Sequence, residues 1–283
     1  MSLNLVIPAD SKISFPIAGG LGAQIFGAAT AFYLRLLGKT VNVDLRYFDL
    51  PPLSSLDGSI GIPSIWSWEL GNLGVNKDAV SENAADASRS PITPSIEWLS
   101  AVGSLALQDA QVLKKFSVPI VDEVQKALRL SFCLSETYTA VHLRRGDYLN
   151  CASFVLPASA AYDCAHRASR YTRNLVVISD SPIDRADLCG LSQKFSAVDI
   201  LVDRTVSPVI LWALLTYARV LITSNSQFSI SAGYFSHGVV FAPDRYFSRT
   251  DAMTNRLYTR NFPLSVRVPR TRQRLRCRVR RAG

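Results

Sequence analysis

Val141-His142-Leu143-Arg144-Arg145-Gly146-Asp147-Tyr148 sets two guanidiniums immediately behind a run with strand character. Each planar fork can donate two charge-assisted hydrogen bonds to phosphate oxygens, so adjacent arginines at such a place suit a diphosphate. Tyr138-Thr139-Ala140-Val141 has the β-branched and aromatic content of a buried strand, and Gly146-Asp147 reads as a turn. In open α/β sheets, ligands gather beyond the carboxyl ends of the strands, which is where this order puts the arginines. A solvated surface turn is the competing reading, because most charge pairs at loops bind nothing specific. The embedded Arg-Gly-Asp tripeptide is too short a match to argue for cell adhesion.

Two more polar clusters follow predicted strands. Ser179-Asp180 comes after Leu175-Val176-Val177-Ile178, and Ser224-Asn225-Ser226-Gln227-Phe228-Ser229 comes after Val220-Leu221-Ile222-Thr223. Each could be an ordinary helix cap. A helix N-terminus also presents free backbone N–H groups and a favourable dipole to a phosphate. Three such clusters at one sheet edge would make a shared site.

The elements needed to position them can be read along the chain. Ile13 to Ile17 predicts a short strand, Gly19-Gly20-Leu21-Gly22 a turn, and Gln24 to Leu37 a helix stopped by Gly38. Val41 to Asp44 is the next strand, giving a parallel β-α-β unit. Residues 49 to 95 are rich in Pro, Ser, Gly and Asn and read as an irregular excursion, and Val121 to Leu130 reads as a helix. The second half predicts helices around 158–169, 183–191 and 209–218. It also predicts strands at 139–142, 175–178, 197–202, 220–223 and 238–241. Strand–helix alternation in both halves argues for two α/β lobes with a cleft between them. No internal repeat is present.

At 283 residues, 48% apolar and 19% charged, the chain is long and greasy enough for one large core or two modest ones. The net charge of +9 is concentrated at one end, since residues 267 to 281 carry eight arginines and no acid. Setting those eight aside leaves 23 of the 31 basic residues against 22 acidic ones, so the body is nearly neutral. Such a tail binds polyanions without selectivity, acidic membrane surfaces included, so no specific nucleic-acid partner is expected. The five cysteines contain no Cys-x-x-Cys pair, which fits reduced thiols and argues against a disulfide framework or zinc site. Ile13 to Leu34 is uncharged, but Pro16 and four glycines break it into strand, turn and helix. Met1-Ser2-Leu3-Asn4 lacks the basic start of a signal peptide. The expectation is a soluble cytoplasmic protein, which the tail could hold at the inner face of a membrane.

The glycine turn fails the stronger nucleotide patterns. Ile25 stands where a dinucleotide fingerprint needs its third glycine, and Ala28 stands where a P-loop needs its lysine. No Gly-x-Ser-x-Gly element occurs, and no two aspartates are separated by one residue, so no Asp-x-Asp metal clamp is available. A nucleotide would be held by arginines, with no metal and no cofactor expected.

Taken together, these segments resemble the alpha-1,2-fucosyltransferase family of glycosyltransferases and, more distantly, other GDP-fucose-using enzymes. Gly19 to Phe26 resembles the family's Gly-Gly-Leu-Gly-Asn-Gln segment, and Asp44-Leu45-Arg46-Tyr47-Phe48 its aspartate-to-aromatic segment. His142 to Tyr148 matches the His-x-Arg-Arg-Gly-Asp-Tyr motif in full. Ser224 to Ser229 resembles the Asn-Ser-Ser-Phe-Ser segment, and Ala242-Pro243 its usual ending. The likeness spans about residues 13 to 248 in order. Three departures stand out: Ala23 in place of asparagine, Ile230-Ser231 in place of an aromatic pair, and no acid across Val206 to Ile210. In related enzymes an acid near that last place reads guanine, so base preference stays open.

The resemblance implies a GT-B arrangement of two Rossmann-like lobes. Residues 1–134 would form the acceptor-side lobe, 135–262 the donor lobe and 263–283 the basic tail. It implies an inverting, metal-independent transfer of fucose from GDP-fucose to a glycan hydroxyl. Arg144 would stabilise the leaving phosphate, with Asp147, Asp44 or the departing phosphate itself as the base. His142, Arg145, Asp180, Asn225, Ser226, Gln227, Gly20 and Gly22 would line the donor. The alternatives are a non-catalytic glycan- or nucleotide-binding relative, and a transferase of the same fold using another nucleotide sugar.

Overall fold

The computed structural model describes residues 12–49, 67–81, 92, 94–128, 130, 136–146, 148, 155, 158–183, 188–202, 206–242 and 265–267. They form a mixed α/β chain built on parallel sheets. Strands β1 (Lys12–Pro16) and β2 (Thr40–Asp44) pair in parallel around helix α1 (Leu21–Leu36), as the sequence predicts. Ile13, Phe15, Val41 and Val43 alternate inward, the period-two pattern of strands with one buried face. Ile92 adds a bridge to the free edge of β1 through Ser14 N–H to Ile92 O at 3.0 Å and Ile92 N–H to Lys12 O at 2.9 Å.

Four short helices follow: α2 (Lys77–Ser81), α3 (Ile96–Ala106), α4 (Ala110–Leu113) and α5 (Val121–Ala127). Neither α3 nor α4 is among the elements predicted from the sequence. Ser95 caps α3 by accepting the Trp98 N–H at 3.2 Å. A Cβ at Gly103 would lie 2.8 Å from Phe26 Cδ1, so α3 presses closely on α1.

The larger sheet holds β3 (Tyr138–Leu143), β4 (Asn174–Ser179), β5 (Ala197–Val202), β6 (Val220–Ile222), β7 (Val239–Ala242) and β8 (Ser265–Arg267). The intervening helices are α6 (Ala158–Ala168), α7 (Cys189–Ser192), α8 (Pro208–Tyr217) and α9 (Gln227–Phe235). Of the predicted 183–191 helix, α7 covers the last three residues, and 184–187 lie outside the described residues. Spatial order is β5-β4-β3-β6-β7-β8, parallel through β7 and antiparallel at β8. Strand β8 is not among those predicted from the sequence, where 238–241 is the last. The predicted boundary at 134, and the tail beyond 267, fall outside the described residues.

Every residue of β3 and β4 is buried, as expected for strands covered on both faces. The chain steps outward from β3 to β5, then returns to place β6 on the other side of β3. Strand order therefore reverses between β3 and β6, and an open α/β sheet leaves its ligand crevice at such a reversal.

Helix α8 is apolar on all sides and almost wholly buried, so it is an internal helix and not a surface one. Trp212 on α8, Phe235 on α9, Phe116 just after α4, and Phe32 on α1 form an edge-to-face chain, with centroid spacings of 5.0, 5.6 and 6.0 Å. This apolar cluster spans elements of both sheets. No described helix is long and apolar enough to cross a membrane.

Candidate functional site

The arginine motif leaves the carboxyl end of β3 at the reversal point. Leu143 is in register with Ser179, so Arg144 emerges beside Asp180 at the end of β4. Arg144 Nη1 lies 2.9 Å from Asp180 Oδ2, an ion-pair contact without hydrogen-bond alignment. The Arg144 guanidinium also stacks 5.1 Å from the Tyr148 ring centroid. Asp180 Oδ1 accepts the Arg145 backbone N–H at 2.7 Å, and Ser181 Oγ accepts the Gly146 N–H at 3.1 Å. Gly146 adopts φ +22°, where a side chain would be strained, and its Cβ would press to 2.7 Å from Asp180 Oδ2. Asp180 is thus committed to bracing this loop. The Arg145 side chain is half-buried and has no carboxylate partner among the described residues.

Across the reversal, β6 runs into Thr223-Ser224-Asn225-Ser226. Asn225 and Ser226 are buried and Gln227 is half-buried. Ser226 caps α9, its Oγ accepting the Phe228 N–H at 3.4 Å. Thr223 Oγ1 is buried without a hydrogen-bond partner among the described residues, an opening of the kind that a ligand or water completes.

The glycine turn belongs to the same place. Gly20 is the extended N-cap of α1 and offers no side-chain cap, so the first N–H groups of that helix keep their dipole end open. The structure gives Gly22 a packing duty. A Cβ there would collide with Phe228 N and lie 2.6 Å from both Gln227 C and Phe228 Cα. The first turns of α1 and α9 therefore touch backbone to backbone. Two helix N-termini and two arginines concentrate positive potential at one sheet edge.

His142 ties these parts together. It is 4% exposed, its Nδ1 is 2.8 Å from Ser224 Oγ, and its ring tilts against Phe228 at 5.3 Å between centroids. Ser224 is fixed in turn by Ser229, whose Oγ accepts the Ser224 N–H at 3.2 Å. Burial first, then the neighbouring Arg144 charge, pulls the imidazole down to about 3 from its ordinary 6.5. His142 is therefore a neutral brace at physiological pH. A depressed histidine adds stability in full above its unfolded value and loses it as pH falls through 6.5 toward 3. The wild type should lose stability across that window faster than His142→Gln, by up to about 1.4 kcal/mol per pH unit. Urea titrations at pH 6.5 and 4.5 check this, and parallel losses in both proteins would refute it.

Asp44 stands at the carboxyl end of β2, on the other sheet. It holds Arg46 at 2.7 to 3.1 Å through three side-chain contacts and accepts the Arg46 N–H at 3.0 Å. Those hydrogen bonds lower its carboxyl below the usual range and make it a weaker base. Asp147, the other base candidate, lies outside the described residues.

Gln24 is a positioning residue beyond those that the sequence motifs assign to the donor. Fully buried, it donates to Gly19 O at 3.0 Å and Ser67 O at 2.8 Å, and accepts the Glu69 N–H at 2.8 Å. It pins the glycine turn to the segment carrying Trp68, whose ring meets Phe48 at 5.1 Å. A glutamine two residues past a glycine turn is its visible signal. Among the described residues, no three His, Cys, Asp or Glu side chains stand together to hold a metal ion.

No protein-family model matches the chain, and no characterised protein matches it by sequence. Among solved structures, the chain is similar to POFUT1 in complex with GDP, at 12% identity and a TM-score of 0.42, over 82% of this chain and 96% of that one. POFUT1 in complex with GDP-fucose gives the same figures: 12% identity, TM-score 0.42, and 82% and 96% coverage. The apo form of POFUT1 follows at 12% identity and a TM-score of 0.40, over 81% of this chain and 95% of that one.

Proposed function

We propose that this chain is a glycosyltransferase that holds a nucleotide sugar by its diphosphate and moves the sugar, fucose from GDP-fucose, to a glycan hydroxyl. The carrying observation is the Arg144–Arg145 pair at the sheet reversal, with the first turns of α1 and α9 beside it. The full His142 to Tyr148 motif and the ordered likeness to alpha-1,2-fucosyltransferases supply the sugar and the linkage. A GT-B division into an acceptor-side half and a donor half goes with this reading.

Departure of a nucleoside diphosphate is the hard step, because negative charge builds on the phosphate as the sugar carbon becomes cationic. Arg144 would meet that charge, with Arg145 and the α9 N-terminus assisting. Inversion needs a base opposite the leaving group. Asp147, Asp44 or the departing phosphate would take the acceptor proton. The pairing of Asp44 with Arg46 favours the other two.

A thermal-shift series with GDP, UDP, ADP and CMP tests the donor, since a ligand that binds only the native state raises the melting point by mass action. The expected result is a shift with GDP and none with CMP. No response to any diphosphate would overturn the reading. Activity should also persist in excess EDTA, because the chain lacks an Asp-x-Asp clamp and uses arginines where others use a cation. Loss with EDTA and recovery with manganese would exclude the arginine mechanism.

Ala23 in place of asparagine and the missing acid across Val206 to Ile210 favour a second reading, a non-catalytic binder of the same ligand. Slow hydrolysis of the donor by purified protein separates the two: an enzyme releases free fucose and a binder does not.

A further inference from the structure

Asp180 makes more contacts with the arginine loop than an ordinary cap would need. Its Oδ1 accepts the Arg145 N–H at 2.7 Å, and its Oδ2 sits 2.9 Å from Arg144 Nη1. Gly146 passes so near that a methyl group there would reach 2.7 Å from Oδ2. Ser181 continues the clasp, its Oγ accepting the Gly146 N–H at 3.1 Å while its own N–H donates to Ser179 Oγ at 3.2 Å. The carboxylate side chain is 10% exposed, so solvent does little to screen it.

We infer that Asp180 is a positioning residue with two opposed effects: it fixes the direction of Arg144, and its charge competes with an incoming diphosphate for the same guanidinium. The inference rests on the arginine pair being an anion site. A guanidinium held this way is oriented before the ligand arrives, which lowers the ordering cost of binding. The carboxylate weakens ground-state binding of an anion by occupying the guanidinium that the anion would pair with. A ligand whose negative charge grows during the reaction then gains most at the moment the charge appears.

Asp180→Asn keeps the shape and the acceptor for Arg145 N–H but removes the charge. Calorimetric titration with inorganic diphosphate should give about fivefold tighter binding than wild type, because the competing charge is gone. Asp180→Ala should bind more weakly than Asp180→Asn, since the loop loses its brace. In an Arg144→Ala background, Asp180→Asn should bring no gain, because the effect acts through Arg144. A purely structural role predicts Asp180→Asn equal to or weaker than wild type, and that result overturns the inference. A gain that survives in the Arg144→Ala background also overturns it, since Asp180 would then act on the anion directly. Failure of the wild type itself to bind diphosphate removes the anion site and takes this inference with it. The inference fails alone when wild type binds and Asp180→Asn brings no gain.

Discussion

Arg144→Ala should cut turnover at least about a hundredfold, a barrier increase of about 3 kcal/mol, because it removes a charge-assisted contact to the leaving phosphate. Arg144→Lys should also be poor, since an ammonium keeps the charge but cannot make the bidentate contact or stack flat on Tyr148. The structure adds a stability cost that the motif alone does not suggest. Truncation leaves Asp180 Oδ2 without its ion-pair partner in a nearly closed setting. An unpaired polar group so placed costs about 1–3 kcal/mol. Rates should therefore be compared well below the melting point of the variant. Turnover above a tenth of wild type would remove Arg144 from the reaction.

Gly22→Val should be severely damaging. The added carbons have to occupy space held by the Gln227 and Phe228 backbone, which cannot rotate aside as a side-chain tip would. Overpacking against a fixed backbone should cost about 3 kcal/mol or more. The α1 and α9 N-termini would be driven apart, so diphosphate affinity should fall with stability. Gly38→Ala is the internal control for glycine loss, since nothing lies within 4 Å of a Cβ there, although its φ of +73° carries modest strain. A Gly22→Val protein that melts with wild type would show that the two helices are not in contact in solution.

Much of the larger sheet can be read from the chain. Strands β3 and β4 announce themselves because both faces are buried: Leu175-Val176-Val177-Ile178 is apolar without alternation, and Tyr138 to Val141 mixes aromatic, β-branched and small residues. The arginine motif is legible as chemistry because its residues are adjacent. What stays hidden is what distant segments do to one another. Asp180 looks like a cap in the sequence, and its clasp on Arg144 and Arg145 appears only when β3 and β4 pair. Gly22 looks like a ligand-facing glycine, and only the approach of α9 shows what excludes a side chain. Helix α3 is masked by Ser100, Gly103 and Ser104, which dilute the apolar period while allowing close contact with α1. Asp44 reads as a free carboxylate until Arg46, two residues on, folds back onto it.

The aromatic chain from Phe32 to Trp212 bears on how this molecule comes apart. Because it couples the helix of the first β-α-β unit to the internal helix behind the larger sheet, neither sheet can lose its packing while the other keeps it. Calorimetry should then give a single cooperative endotherm, with calorimetric and van't Hoff enthalpies in agreement. Amide protons in β1 and β3 should exchange with similar, near-global protection. A ligand held at the sheet edge would thereby shield the whole described core against proteolysis, including strands it never touches.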